Sequence, residues 1–424
     1  MSERIDIGTQ SQSADFFVPP YFNDTQTSRQ ILALRSGNVF SQDELNLECI
    51  VDENGQVTSS VITDESGFKR MLDVGLQNNP VHSLVCIPQK TSWSEFSLTC
   101  EHLTELHRVY KIFTPFLDYV QAFGRKTREK DENFGGYHRR IALDSYEFCY
   151  NIRYMDQTGR REHPWSIRQV AIYLQYTKST QSTRWLLLQP STSIKAAIVE
   201  FLRNHNLSSE PMFLHHIVFH FTERNWRGYI NELEESLVEL EEKALYAKVG
   251  CEKPRPYDFS ITFRDSQNVQ RLHRKFLKAS VALDSNLEVA HGYKIHCKDL
   301  CERNLGGRNP LLFVEVELYK VKLRAHKRSV KVLLERCTQT LSILSQILEY
   351  RNDENIIKIA NALSYNSEAM HKIALAGNEE NKSIKILSEK AQRDSQSVKI
   401  LTYIAMLYLP ASLVAVSRAS TRRT

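Results

Sequence analysis

Two runs in the middle of the chain alternate apolar and polar residues: SYEFCYNIRYM from Ser145 and WSIRQVAIYLQYT from Trp165. A period of two, rich in aromatic and β-branched residues, predicts half-buried strands. STRWLLLQPS, from Ser182, and VHSLVCIP, closed by Pro88, are short apolar runs that predict two more. IVDENGQVTSSVIT predicts a hairpin with Asn54-Gly55 in its turn. LTCEHLTELHRVYKIFTPFLDYVQAFG has helical spacing and predicts one helix capped at Gly124. KTREKDENFGGYHRR predicts a charged loop, and TSIKAAIVEFLRNH a helix with a Thr/Ser start. Residues 1–80 carry the weakest pattern, and GTQSQSADFFVPP within them predicts a mobile tail.

Beyond residue 208 the period changes to that of helices. FLHHIVFHFTERNWRGYINELEESLVELEEKALYAKV predicts one long amphipathic helix, and the stretch from Asp258 to Asn304 another. LGGRNP makes the turn into a third helical region beginning at Leu311. There apolar residues fall at Val330, Leu334, Cys337, Leu341, Leu344 and Leu348, in steps of four and three. After one shift the seam resumes at Ile356, Ile359, Leu363, Met370, Ile373, Ile384, Leu387 and Ala391. It reaches Val398, Leu401 and Ala405 in the same phase. Such a seam packs helix on helix as coiled coils do, and an ordinary bundle within one chain would also produce it. Its run directly into an apolar C-terminal segment favours a stiff stalk helix.

That segment, Ile400–Val416, holds 17 residues without a charge. At helical rise they span roughly 25 Å, the short end for a hydrocarbon core. A membrane span, a buried C-terminal helix and an interfacial helix are the three readings it allows. Lys382, Lys385, Lys390, Arg393 and Lys399 precede it, while Arg418, Arg422 and Arg423 follow. The greater basic count upstream predicts that the bulk of the chain stays cytosolic, with one C-terminal crossing.

Composition narrows the field further. The 424 residues are 42% hydrophobic and 25% charged, with a formal net charge of +5, which describes a globular chain of two or three domains. Acids and bases are interspersed, which argues against a dedicated nucleic-acid binder. The eight cysteines form no CxxC pair, so free thiols in a reducing compartment are expected. The polar N-terminus has no apolar core of a secretory signal. His291, His296, Cys297 and Cys301 have a spacing open to a metal, but zinc needs four convergent ligands. Packing residues are the preferred reading for them, as for His215, His216 and His220. No nucleotide loop and no hydrolase, protease or kinase motif occurs, so no enzyme is expected and no cofactor. The run NELEESLVELEEKAL places Glu232, Glu235, Glu239 and Glu242 on one helical face.

Within SVKILTYIAMLYLPASLVA stand Lys399-Ile400-Leu401-Thr402, then Ala405, then Leu409-Pro410. This resembles the end of the stalk and the start of the first membrane helix in CorA-like divalent-cation transporters. PWSIRQVAIYLQY, FGGYHRR and LEYRND further resemble CorA-like domain proteins of filamentous fungi. The resemblance spans roughly residues 85–416. It implies an α+β architecture: an N-terminal mixed α/β domain, then long helices forming a stalk that leads into a C-terminal membrane helix. The expected divisions are a poorly defined region 1–80, an α/β cytosolic domain 81–208, long antiparallel helices 209–310, a stalk 311–397, a membrane helix 398–416 and a basic tail 417–424. By resemblance the pore face is Val398, Leu401, Ala405, Leu409 and Ser412, whose steps of three and four share one face in any helix. An apolar stripe of this kind gates hydrated ions by dewetting. By position in the family Glu232, Glu235, Glu239 and Glu242 would attract cations, while the residues by themselves read as a solvated charged face; Mg²⁺ is the ion the resemblance implies. The family closes this helix with Gly-Met-Asn and adds a second membrane helix; here Ala419-Ser420-Thr421 stand at that place, so the sequence resembles a C-terminally truncated member. The resemblance implies a homopentamer in a membrane. The alternative is a helical oligomerising scaffold, soluble or tail-anchored, without transport.

Overall fold

In the computed structural model the described residues are 25–53, 56–77, 82–127, 134–161, 164–204, 211–212, 214–247, 260–305 and 310–420. The tail GTQSQSADFFVPP, the turn residues Asn54-Gly55 and most of LGGRNP lie outside them. Two compact units divide the chain: one runs to Ala247 and resumes over Phe259–Leu344, and the other holds Ser345 onward.

The first unit is built on one seven-stranded sheet of order β2-β1-β3-β7-β6-β5-β4. Its strands are β1 (Leu47–Glu53), β2 (Gln56–Ile62), β3 (His82–Ile87), β4 (Gly136–Ile141), β5 (Ser145–Gln157), β6 (Trp165–Thr177) and β7 (Ser182–Leu188). The hairpin forms with Glu53 opposite Gln56, the register a two-residue turn requires. Of the strand pairs in this sheet, β3 with β7 is parallel and the others are antiparallel. β4 occupies the last third of the stretch expected as a charged loop, because its Tyr137 and His138 reach the rings of Phe148 and Tyr119.

Both faces of the sheet are covered. On one lie α1 (Thr25–Val39), α2 (Glu65–Gln77), α3 (Cys100–Val109) and α4 (Phe116–Gln121), which share a core with Cys149, Ala171, Tyr173 and Leu186. On the other lie α5 (Thr192–Asn204), α6 (Leu214–Glu223), α7 (Trp226–Leu245) and α8 (Phe263–Glu302). Tyr146–Met155 of β5 is therefore buried throughout, where alternation predicted a half-buried strand. The polar-looking positions are tyrosines, Asn151, Arg153 and Glu147, which bury their apolar bodies; Tyr150 meets His215 and Arg153 meets Gln169, while the Tyr146 hydroxyl and the Asn151 amide oxygen are buried without a partner. Glu147 accepts from the Tyr173 hydroxyl (2.7 Å) and pairs with Arg140.

Three sequence expectations are corrected in detail. The single helix ending at Gly124 is two, α3 and α4, separated where Lys111 takes a positive φ of 50°. The long helix from Phe213 is likewise two, broken between Glu223 and Trp226. Residues 25–77, which carried almost no pattern outside the expected hairpin, also supply α1 and α2. Gly124 (φ 104°) still ends the segment after α4, and a Cβ there would meet the backbone carbonyl of Asn38. At Gly292 of α8 a Cβ would overlap the Tyr137 ring, so the glycine lets α8 lie directly on β4.

The last helix, α9, is continuous from Pro310 to Ser420. Within the first unit it buries Leu312, Val316, Tyr319, Leu323, Val330, Leu333, Cys337, Thr340 and Leu344. The seam is thus real, but its centre runs through Leu333 and Thr340 where Leu334 and Leu341 were expected. Leu334 and Leu341 flank it, half-buried. Two leucines side by side gave the pattern two possible phases, and Thr340 hid the correct one by donating its hydroxyl to the Arg336 carbonyl (2.9 Å).

Candidate functional site

The second unit is the part of α9 from Ser345 to its end. Here the seam residues are exposed: Ile356, Ile359, Leu363, Met370, Ile373, Ile384 and Leu387 each leave more than half their surface open. In sequence they fall on two interleaved series of sevens, 356-363-370 with 384 and 359 with 373 and 387, the repeat that winds helices around one another. Ion pairs along the opposite sides, Lys358–Glu354 and Lys372–Glu368 (both 2.9 Å), bridge single turns, and the seam itself is interrupted at Asn366, Gly377 and Glu380.

The same helix carries the apolar segment. It is, among the described residues, the one helix long and apolar enough to cross a membrane, and the crossing window is wholly unburied. Pro410 sits inside it without ending it, so the helix continues to Ser420. Val398, Leu401, Ala405, Leu409 and Ser412 occupy one face, as their spacing requires, with Val398 61%, Leu401 66% and Leu409 60% exposed. The aliphatic hydroxyls of Thr402 and Ser412 are turned back on their own helix. Thr402 donates to the Val398 carbonyl (2.7 Å) and Ser412 to the Leu409 carbonyl (2.9 Å). Satisfying hydroxyls this way is what an apolar surround demands, and it leaves the Val398–Ser412 face presenting mainly carbon.

The four acids of α7 divide. Glu235, Glu239 and Glu242 are exposed and make no ion pair among the described residues. Glu232 is half-buried and accepts the Trp165 indole N–H (2.6 Å), which fixes β6 against α7. The sequence reading passed over Glu234 and Glu241, which share the Arg336 guanidinium at 2.7 and 2.6 Å and tie α7 to α9 within the first unit. Only contact with a cation 95 residues away or more distinguishes them from their neighbours.

The histidines are packing residues where they are buried. His215 meets the Tyr150 hydroxyl (2.8 Å) and His216 meets the Tyr293 hydroxyl (2.8 Å), which donates on to the Met212 carbonyl (3.1 Å). His296 stacks on Phe148 with centroids 5.0 Å apart, and both its ring nitrogens are buried without a partner. Burial holds all three below the ordinary imidazole range, His216 at about 4 and His296 at about 3. His220 and His291 are exposed. Cys297 is buried, its thiol pushed up to about 12 by desolvation. Among the described residues no group of three or more His, Cys, Asp or Glu converges as a metal site.

A family model described as CorA-like transporters matches residues 20–245. No curated protein matches the chain. Among solved structures it is similar to the CorA magnesium transporter of Methanocaldococcus jannaschii, at 13% identity over 75% of this chain and 81% of that one, with a TM-score of 0.46. It is also similar to the full-length CmaX protein, at 12% identity over 76% and 83%, TM-score 0.45. The soluble domain of the M. jannaschii CorA matches at 12% identity over 74% and 96%, TM-score 0.36.

Proposed function

Because the chain belongs to the CorA-like family, matched over more than half its length, we propose that it is one subunit of a membrane pathway for a divalent cation, Mg²⁺ by that kinship. The observation that carries the reading is on α9: one continuous helix holds an exposed heptad seam and, directly after it, an apolar segment long enough to cross a bilayer. Exposed leucines and isoleucines on a helix of this length are not stable singly in water, and the seven-residue repeat asks for other helices of the same kind. Several copies joined along the seam would bring their apolar segments around one axis. Val398, Leu401, Ala405, Leu409 and Ser412 then line it as a hydrophobic constriction, closed to hydrated cations when dry and open when wetted.

A second reading has its own support. Of the proposed lining residues only Ser412 carries a side-chain oxygen, so the face offers a passing ion few oxygens. The same assembly without conduction would be a membrane-anchored scaffold. Alkaline carbonate extraction tests the part common to both: the full chain stays in the membrane pellet, and its release would end either reading. Divalent-cation flux into vesicles separates them.

A further inference from the structure

The first unit leaves two helical faces of opposite charge without partners. Between Glu317 and Glu335, α9 has no acidic residue and six lysines and arginines. Three are neutralised within the chain: Lys320 by Glu317 (3.0 Å), Lys322 by Glu223 (2.9 Å) and Lys327 by Asp284 (2.5 Å). The other three, Arg324, Arg328 and Lys331, are exposed and make no ion pair among the described residues. Their steps of four and three put them on one face. Glu235, Glu239 and Glu242 of α7 have the same steps, the same exposure and the same lack of an ion pair.

We propose that the Glu235–Glu239–Glu242 face of one copy docks on the Arg324–Arg328–Lys331 face of the next, as the contact that joins copies at the level of the first unit. The inference rests on the assembly proposed above and adds which surfaces meet. Identical spacing matches the triads only if α7 and α9 run parallel, setting Glu235 by Arg324, Glu239 by Arg328 and Glu242 by Lys331. Within the chain the contacts of α6 and α7 with α9 follow the same order, since Glu223, the last residue of α6, meets Lys322 and Glu241 of α7 meets Arg336. Apolar surface follows each triad: Leu245 and Tyr246 on α7, Val332 on α9, all more than half exposed. The contact is heterologous, acid face to basic face, so an open chain of copies leaves one acid face free at one end and one basic face free at the other. Such contacts close into rings, the form a pore needs. The occupant of the acid face is then a neighbouring helix and not a cation.

The test uses the full chain in detergent, with mass by light scattering at low and high salt. Arg324→Glu, Arg328→Glu and Lys331→Glu together should raise the concentration at which copies separate by about ten-fold or more at low salt, less at high salt. Adding Glu235→Lys, Glu239→Lys and Glu242→Lys should restore the wild-type value. A version that keeps most charges is Glu239→Cys with Arg328→Cys, which on oxidation should give a ladder of linked copies absent from either single variant. Copies that assemble but ignore the reversal, fail to recover in the sixfold swap, or give no ladder would overturn the docking while leaving the pore reading intact. A wild type that runs as one copy at every concentration would overturn both.

Discussion

Acidification should loosen the first unit through His296, and a single substitution isolates the effect. The ring lies between Phe148 and Tyr146 with both nitrogens buried and unpartnered. Burial, helped by the Arg139 charge, lowers it from the ordinary 6.5 to about 3. Above pH 6.5 the ring is neutral in both folded and unfolded chains and stability does not depend on it. Below 6.5 the unfolded chain takes up a proton that the folded one refuses until about pH 3, so stability falls as pH falls across that window. The slope is about 1.4 kcal/mol per pH unit, or about 2 kcal/mol by pH 5, against a total of roughly 5–15 kcal/mol for a folded domain. His296→Phe keeps a ring in the stack and removes two orphaned polar atoms, which should cost little at pH 7.5. Urea midpoints of the full chain, followed by tryptophan emission from pH 7.5 to 4.5, give wild type and variant on one scale. Other titrating groups, including Glu147, whose carboxyl burial raises, cancel in the difference between the two curves. The variant should fall about 1.4 kcal/mol per pH unit less steeply below pH 6. Parallel curves would refute the reasoning, because they would mean that His296 charges without cost where it sits.

Three further outcomes follow from packing and from the seam. Gly292→Ala drives a methyl into the Tyr137 ring and should lower stability by about 1–3 kcal/mol, read as a reduced urea midpoint; an unchanged midpoint would mean α8 stands off β4. Ile373→Lys puts a charge in the exposed seam and should reduce the particle mass in detergent without altering the unfolding of the first unit; an unchanged mass would remove the seam as the joining surface. Leu409→Asn should wet the proposed constriction and raise cation flux, whereas flux equal to wild type would place the barrier elsewhere.

The strands were legible because their pattern has few rivals: aromatic and β-branched runs such as Trp165–Thr177 have no helical alternative. What the pattern could not convey is that both faces are covered, since Tyr, Asn and Arg read as polar but bury most of their bulk. α1 was invisible because TQTSRQILALRSGNV presents one buried leucine, Leu32, among polar residues and the exposed Leu34. The break after α3 depends on a single backbone geometry, Lys111 in the left-handed region, that neighbouring residues do not announce. Of the proposed site, the face on α9 follows from spacing alone, so its geometry was fully legible. The acids of α7 were legible as a face, but their division was not. Glu232 answers to Trp165 and Glu234 and Glu241 to Arg336, all distant in sequence.

The central claim is that copies of this chain conduct a divalent cation through the Val398–Ser412 face. Purified full-length protein in sealed vesicles, with insertion verified by protease protection and a Mg²⁺-sensitive dye inside, measures this directly. The account predicts Mg²⁺ entry faster than into protein-free vesicles and faster still with Leu409→Asn. Entry no faster than into protein-free vesicles, for both proteins correctly inserted, would contradict it.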